Sequence, residues 1–155
     1  MLEIVDAASD SGRLALFREL IRQYQAWLPA ELRVPDVERE IERLTERYRE
    51  GALLLGLVGP RAIGCVVLHR IDRTTAELKR LYVVPDARGT GAGRALTEAA
   101  VALARDRGYE RVVLDTHREK LGAAYALYRS VGFVECDAYG EAEYACPTFL
   151  ELALK

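Results

Sequence analysis

The hydrophobic and polar positions along the first third of the chain predict one strand followed by two helices. Residues 2–7, LEIVDA, predict a short strand. Over residues 9–28 the apolar positions recur with helical spacing, and Pro29 ends the pattern. A second helical pattern covers residues 34–51, and the charged residues between its apolar positions are typical of a solvated face.

The rest of the chain predicts strands in alternation with helices. Predicted strands cover residues 52–58, 62–71, 75–84, 111–115, 133–136 and 148–154, and predicted helices cover 91–107 and 118–131. Residues 52–58 and 62–71 flank a Gly-Pro-Arg turn, which predicts a hairpin. We therefore expect a single domain over residues 1–155, of class α/β (α+β), with a mixed central sheet of about six to seven strands flanked by four helices.

Composition excludes several function classes and changes the picture little otherwise. A net charge of −2 gives no electrostatic basis for binding nucleic acid or an anionic membrane. Three cysteines without a CxxC spacing predict neither a disulfide framework nor a metal site. The sequence shows no signal peptide and no apolar run near roughly 18 residues, so a cytoplasmic protein is expected.

The stretch LYVVPDARGTGAGRALTEAA at residues 81–100 carries the first candidate chemistry. A β-branched strand leads into a turn with three glycines in five residues, at 89, 91 and 93, and then into an alanine-rich helix. Backbone N–H groups of such a turn converge on one point, and the helix dipole adds positive potential there. The stretch therefore predicts a phosphate-binding site.

Other glycine motifs fit this stretch less well. A P-loop is excluded because the segment contains no lysine. A dinucleotide-binding turn begins well with Gly89 and Gly91, but Arg94 stands where the third glycine belongs. Asp115, at the end of a predicted strand, imitates the ribose-binding acid of that motif. The dinucleotide site and a purely structural glycine turn stay open as alternatives at this point.

Two separate motifs resemble those of the GNAT superfamily of N-acetyltransferases. Residues 83–93 resemble the acyl-CoA signature V-x-P-x-x-R-G-x-G-x-G, in which Arg88, Gly91 and Gly93 fill the core positions. Residues 127–133, LYRSVGF, resemble the second mark of that superfamily. The resemblance implies a GNAT-like fold, acetyl-CoA or coenzyme A as the acyl donor and no metal.

The resemblance also implies where coenzyme A binds. A V-shaped gap is expected beside residues 77–84, where the strand 111–115 diverges and the pantetheine arm pairs with the exposed backbone. A bulge there would direct an N–H at the thioester oxygen. The implied cofactor-binding residues are Leu81, Tyr82, Val83, Val84, Arg88, Gly89, Thr90, Gly91, Ala92, Gly93, Arg94, Tyr125 and Tyr128. The sequence departs from the pattern at Leu121, where many members carry asparagine.

The same resemblance suggests two catalytic residues. Tyr128 is expected to protonate the departing thiolate, unless it is only a half-buried helix aromatic. Glu77 is the candidate general base, and the alternative is an acid that is exposed or paired with Arg80. His117 is a second residue that could border the mouth of the coenzyme A site.

The acceptor is the least determined part of the prediction. Tyr24, Trp27, Arg33, Tyr139 and Tyr144 are the candidates for the acceptor side. We expect transfer of an acetyl group to a primary amine by direct attack, with a small-molecule amine or a peptide N-terminus as acceptor and a homodimer as a possible assembly. The alternative function is an acyl-CoA-binding regulatory module without turnover.

Overall fold

Seven strands form one mixed sheet in the computed structural model, which describes residues 1–154. The strands are β1 Leu2–Asp6, β2 Ala52–Val58, β3 Arg61–Arg70, β4 Thr75–Val83, β5 Arg111–Thr116, β6 Val134–Glu135 and β7 Thr148–Ala153. They lie in the order β1-β2-β3-β4-β5-β7-β6, and within residues 1–154 only the β4–β5 pair is parallel. The observed mixed sheet of seven strands confirms the predicted fold class.

Five α-helices cover the two faces of this sheet. They are α1 Ser11–Trp27, α2 Val37–Glu42, α3 Leu44–Arg47, α4 Ala92–Asp106 and α5 Gly122–Val131. Apolar residues of α1, α2 and α3 build the core on one face, and those of α4 and α5 build the core on the other. Among the described residues, no helix is both long enough and apolar enough to span a membrane.

The predicted second helix is broken, so five helices are present rather than four. Arg43 has φ −115° and separates α2 from α3, and Asp36 precedes α2 in the left-handed region with φ 57°. Ile41, Leu44 and Tyr48 are nevertheless all buried, because the two short helices keep the same apolar face toward the sheet. The predicted helical spacing is therefore confirmed, but the prediction of one continuous helix is wrong.

The last helix and the strand after it are shorter than predicted. The helix predicted from 118 begins at Gly122, because the His117 Nδ1 atom accepts a hydrogen bond from the Lys120 N–H and holds a turn before it. The strand predicted over 133–136 retains only Val134 and Glu135.

Strands β4 and β5 diverge after three residue pairs. The pairs are Thr75 with Arg111, Ala76 with Val112, and Glu77 with Val113. Beyond Glu77, β5 continues to pair with β7 as far as Thr116, but no longer with β4. The gap implied by the resemblance is therefore present, and it opens directly after Glu77.

A β-bulge interrupts β4 beside this gap. Lys79 lies opposite Val67 and Tyr82 lies opposite Cys65, so Arg80 and Leu81 together face one residue of β3. Arg80 has φ 60°, a left-handed conformation that a non-glycine residue rarely adopts. The bulge implied by the resemblance is therefore also present.

Candidate active site

The turn between β4 and α4 owes its shape to two glycines. Gly89 and Gly91 have φ of 78° and 89°, and no atom lies within 4 Å of a Cβ built on either residue. Glycine is needed here for the left-handed backbone, since space is available around both positions. Gly91 precedes the first residue of α4, whose N-terminus has no side-chain cap. The first N–H groups of a 15-residue helix thus remain available to an anion.

A groove of about 370 Å³, here called the glycine groove, runs along this turn and the end of β4. Trp27 of α1 and Ala124 of α5 also line it. The groove is lined by most of the predicted cofactor-binding residues: Leu81, Tyr82, Val83, Arg88, Gly89, Gly91, Ala92, Gly93 and Arg94.

Four predicted cofactor-binding residues do not line this groove: Val84, Thr90, Tyr125 and Tyr128. The Val84 side chain is buried in the core, and its N–H donates to the Ile63 carbonyl of β3 at 2.9 Å. Thr90 lies on the outside of the turn, and its hydroxyl donates to the Ala87 carbonyl at 2.5 Å. The Tyr125 hydroxyl donates to Glu135 at 2.5 Å, away from the groove.

Two arginines of the motif lie along the groove in different ways. The guanidinium of Arg88 stacks 4.7 Å from the centre of the Trp27 ring, while its Nε donates to the Val83 carbonyl at 3.0 Å. Arg94 Nη1 donates to the Ser130 hydroxyl on α5 at 2.9 Å. Both arginine side chains line the glycine groove.

A second cavity of about 270 Å³, here called the polar cavity, is lined by residues of α1, β4, β5 and α5. Glu77, Asp115 and Tyr128 all line it. It shares Trp27, Leu81 and Ala124 with the glycine groove, so the two spaces meet at the gap between β4 and β5. Among residues 1–154, no group of three or more His, Cys, Asp or Glu side chains is arranged to hold a metal ion.

Two carboxylates of the polar cavity accept hydrogen bonds from tyrosines of the segment between β6 and β7. The Tyr139 hydroxyl donates to Glu77 Oε2 at 2.6 Å, and the Tyr144 hydroxyl donates to Asp115 Oδ1 at 2.7 Å. Burial raises the pKa of Glu77, and the hydrogen bond from Tyr139 opposes that rise in part. Glu77 is therefore a half-buried carboxylate with raised basicity at the point where the strands diverge.

Tyr128 reaches the polar cavity from α5, on the other side of the gap. Its side chain is 7% exposed and packs edge-to-face on Phe133, with ring centres 5.9 Å apart. Within the described chain its hydroxyl makes no hydrogen bond to protein. Burial raises the pKa of this hydroxyl, so the proton stays on the oxygen at neutral pH.

Arg80 pairs with residues that the sequence did not indicate. It does not contact Glu77; its guanidinium binds Glu40 of α2 and Glu143 of the β6–β7 segment. Glu40 lies 40 residues away in sequence, so no local spacing predicts the pair. The sequence shows only that Arg80 is one of three charged residues in this strand, with Glu77 and Lys79.

The acceptor candidates are divided by the structure. Tyr24, Trp27 and Tyr144 line the polar cavity, and Tyr139 reaches it through Glu77. Arg33 is exposed on another surface and does not line it.

Comparison with known proteins agrees with this geometry. The model of the acetyltransferase (GNAT) family matches residues 14–133. The chain belongs to this family. An uncharacterised N-acetyltransferase from Schizosaccharomyces pombe is 31% identical over 127 residues, which cover 79% of this chain and 77% of that protein. Several longer relatives are matched over only 34% to 48% of their length.

Solved structures of other GNAT-like proteins superpose on the whole sheet. A Streptococcus agalactiae acetyltransferase is 25% identical with a TM-score of 0.78, and 98% of each chain is covered. The PaiA N-acetyltransferase of Thermoplasma acidophilum, solved in complex with coenzyme A, is 22% identical with a TM-score of 0.73, and 99% of each chain is covered. This GNAT chain is therefore an enzyme of the acetyltransferase class, which removes the dinucleotide-binding alternative.

Proposed function

We propose that this GNAT enzyme transfers an acetyl group from acetyl-CoA to a primary amine by direct attack, without a covalent enzyme intermediate. One observation carries the proposal: the glycine groove and the polar cavity meet at the gap between β4 and β5, with Tyr128 and Glu77 lining the cavity at that point. A thioester in the gap would therefore be open to the donor side and to the acceptor side at once.

The fit of coenzyme A rests on backbone groups as much as on side chains. The uncapped N-terminus of α4 and the N–H groups of residues 88–94 suit a pyrophosphate. The Val84 N–H points toward β3, so the adjacent Val83 N–H faces the gap, because successive N–H groups of a strand alternate in direction. The pantetheine arm can pair there as an added strand. The coenzyme A complex of the PaiA enzyme, which has the same fold, supports this assignment.

The two catalytic assignments follow from the protonation of each group. An ammonium acceptor has to lose a proton before its nitrogen attacks the thioester carbon, and ionised Glu77 can take it directly or through a water molecule. When the new C–N bond has formed and the C–S bond breaks, the sulfur needs a proton. Tyr128 can supply it, because its raised pKa keeps the hydroxyl protonated and no protein acceptor among residues 1–154 occupies it.

The acceptor is an amine, either a small molecule or a peptide N-terminus. Glu77 and Asp115 are two carboxylates lining the polar cavity, and they favour a positively charged group between the strand ends. Aromatic side chains of Tyr24 and Trp27 cover the opposite side.

Ligand-dependent thermal stability tests the proposal most directly. Melts are recorded with acetyl-CoA, coenzyme A, NAD and ATP in parallel. A ligand present at about 100 times its Kd stabilises the native state by about 2.7 kcal/mol, a shift of several degrees for a domain of this size. We expect acetyl-CoA and coenzyme A, but not NAD or ATP, to raise the melting midpoint. Release of the coenzyme A thiol is then measured with a panel of amines, and at least one amine should cause it. If NAD or ATP stabilises the protein and coenzyme A does not, the proposal is wrong. If acetyl-CoA binds but no amine causes thiol release, a non-catalytic acyl-CoA-binding module is favoured.

A further inference from the structure

Arg80, in the middle of β4, has an unfavourable backbone conformation and a side chain that forms several hydrogen bonds. Its φ of 60° lies in the left-handed region, and it forms the bulge with Leu81 opposite Val66. Non-glycine residues keep such a conformation only where the surrounding structure imposes it. The contacts of Arg80 should therefore reveal what holds the bulge.

The side chain supplies that restraint through a buried bridge. Arg80 Nε and Nη2 donate to the two carboxylate oxygens of Glu40 at 2.9 and 2.8 Å, and Nη1 and Nη2 each lie 3.2 Å from Glu143 Oε1. Arg80 is 8% exposed and Glu40 is 3% exposed. A planar guanidinium bound at both edges has little freedom, so the bridge fixes where the Arg80 backbone lies.

The two carboxylates belong to two separate segments of the chain, and only Glu143 lines the polar cavity. Glu40 is part of α2, and Glu143 lies in the segment between β6 and β7. That same segment carries Tyr139, whose hydroxyl binds Glu77. One guanidinium thus connects the bulge beside the gap with the segment that orients the candidate base.

We propose that Arg80 is a positioning residue for acetyl transfer, and that the Glu40–Arg80–Glu143 bridge holds the bulge so that the Leu81 N–H points at the thioester oxygen. The inference rests on the proposed function. The Leu81 N–H lies on the same side of β4 as that of Val83, two residues later, which faces the gap. A backbone donor fixed before the reaction stabilises the charge that develops on that oxygen.

Two substitutions separate the bridge from the backbone conformation. Arg80→Gly accepts the left-handed φ without strain but removes the bridge, whereas Arg80→Lys keeps a positive charge that cannot bind both carboxylates in one plane. Arg111→Gly is the matched control, because Arg111 also lies in a strand and pairs with Glu151 at 3.1 Å, away from both cavities.

Infrared spectroscopy of bound acetyl-CoA, labelled with carbon-13 at its carbonyl, reads the proposed hydrogen bond directly. In the native enzyme the carbonyl band should move to lower wavenumber on binding. In Arg80→Gly that shift should be lost and kcat should fall at least about tenfold, while the KM for acetyl-CoA stays within about twofold. Arg80→Lys should show a partial loss of both, and it gives the answer if Arg80→Gly does not fold. The control should keep the native band and kcat.

The possible results lead to different conclusions. If Arg80→Gly or Arg80→Lys keeps both the band shift and kcat, Arg80 only stabilises the fold and the inference is wrong. If the native enzyme binds acetyl-CoA with no band shift, the inference fails while the proposed function stands. If the native enzyme binds no acetyl-CoA, the proposed function itself fails and the inference with it.

Discussion

Burial raises the pKa values of two residues at the gap, for which we propose opposite tasks. Burial raises the pKa of Glu77 and that of Tyr128. For a carboxyl group this strengthens the conjugate base, so Glu77 becomes a better proton acceptor once it is ionised. For a phenol it keeps the proton on the oxygen at neutral pH, so Tyr128 is in the protonated form that the proposed donor role requires. Each assignment gives its own test.

Substitution Tyr128→Phe should slow turnover without weakening donor binding. The phenyl ring keeps the contact with Phe133, and only the proton donor is removed. We expect kcat to fall by about 10²-fold and the Kd for acetyl-CoA to stay nearly unchanged. Steady-state kinetics and calorimetric titration measure the two quantities. Tyr109→Phe, beyond the far end of α4, is the control, and equal kcat in both variants would remove Tyr128 from the mechanism.

The activity should fall in acid because Glu77 works only as the carboxylate. Its pKa is raised, so protonation begins at a higher pH than for an ordinary glutamate. Below that pKa, kcat/KM should decrease by about tenfold per pH unit. Glu77→Gln should lower kcat/KM by about 10²-fold near neutral pH and flatten this acidic limb.

The hydrogen bond from Tyr139 gives a second check on the same limb. That bond favours the ionised form of Glu77, so Tyr139→Phe should raise the pKa of Glu77 further and move the acidic limb to higher pH. Glu151→Gln, on β7, should leave the limb in place. An unmoved limb in Tyr139→Phe would mean that another group titrates there.

The glycines at the two ends of α4 allow the effect of a substitution on stability to be compared with its effect on ligand binding. Both ends of α4 carry a left-handed glycine with open space around its Cβ position: Gly91 with φ 89° before the helix and Gly108 with φ 84° after it. The backbone requirement is therefore equal at the two ends, but only the first glycine lines the groove.

Alanine at these two positions should have equal costs in stability and unequal costs in binding. Gly91→Ala and Gly108→Ala should each lower the free energy of unfolding by about 1–2 kcal/mol, because L-residues are strained at these φ values. Only Gly91→Ala places a methyl group in the glycine groove, so only it should raise the Kd for coenzyme A, by at least about tenfold. Urea denaturation and calorimetry measure both quantities, and similar Kd values in the two variants would argue against a ligand at this turn.

The sequence predicts most closely the strands and helices whose patterns lie within a short stretch of the chain. The apolar runs of β2 and β3 and the glycines before α4 each lie within a short window, so those elements could be placed closely. The break at Arg43 could not be foreseen, because Ile41 and Leu44 continue the helical spacing across it. Strand β7 enters the sheet between β5 and β6, an arrangement that depends on contacts distant in sequence.

The candidate site divides in the same way. Residues inside a motif, such as Gly91 and Tyr128, could be named because the motif fixes their spacing. Glu77 could be named because the family resemblance points to a carboxylate on this strand. The partners Tyr139 and Glu143 lie 62 and 63 residues from the groups they bind, and nothing in the intervening sequence fixes those distances.

A buried ion pair, Glu40 with Arg80, joins helix α2 to the central sheet. Burial alone would raise the pKa of Glu40, but the hydrogen bonds and the charge of Arg80 outweigh it and lower that pKa below its ordinary value of 4.5. A carboxyl group whose pKa is lower in the folded state contributes stability above about pH 4.5, and that contribution is lost as the pH falls through the folded-state pKa.

Glu40→Gln should therefore destabilise the protein in a pH-dependent way. Near neutral pH it leaves Arg80 with one charged partner, and the free energy of unfolding should fall by about 3 kcal/mol. At about pH 3, which is below the ordinary pKa of 4.5, the native enzyme has lost part of the same contribution, so the difference between the two proteins should narrow. Urea denaturation at both pH values measures this. Glu38→Gln, on the exposed side of the same helix, should change stability little, and a constant difference for Glu40→Gln would contradict the assignment.

Trp27 is the only tryptophan of the chain, and it borders the glycine groove and the polar cavity at once. Its indole lies beneath the Arg88 guanidinium, so a ligand that moves this cation should change the emission of the ring. Unlabelled enzyme can then report donor and acceptor binding separately in a stopped-flow instrument. Titration in either order should show whether the amine binds only after acetyl-CoA, and a Trp27→Phe enzyme gives the background signal. The position of one aromatic side chain thus makes the kinetic order of the reaction visible without a chemical probe.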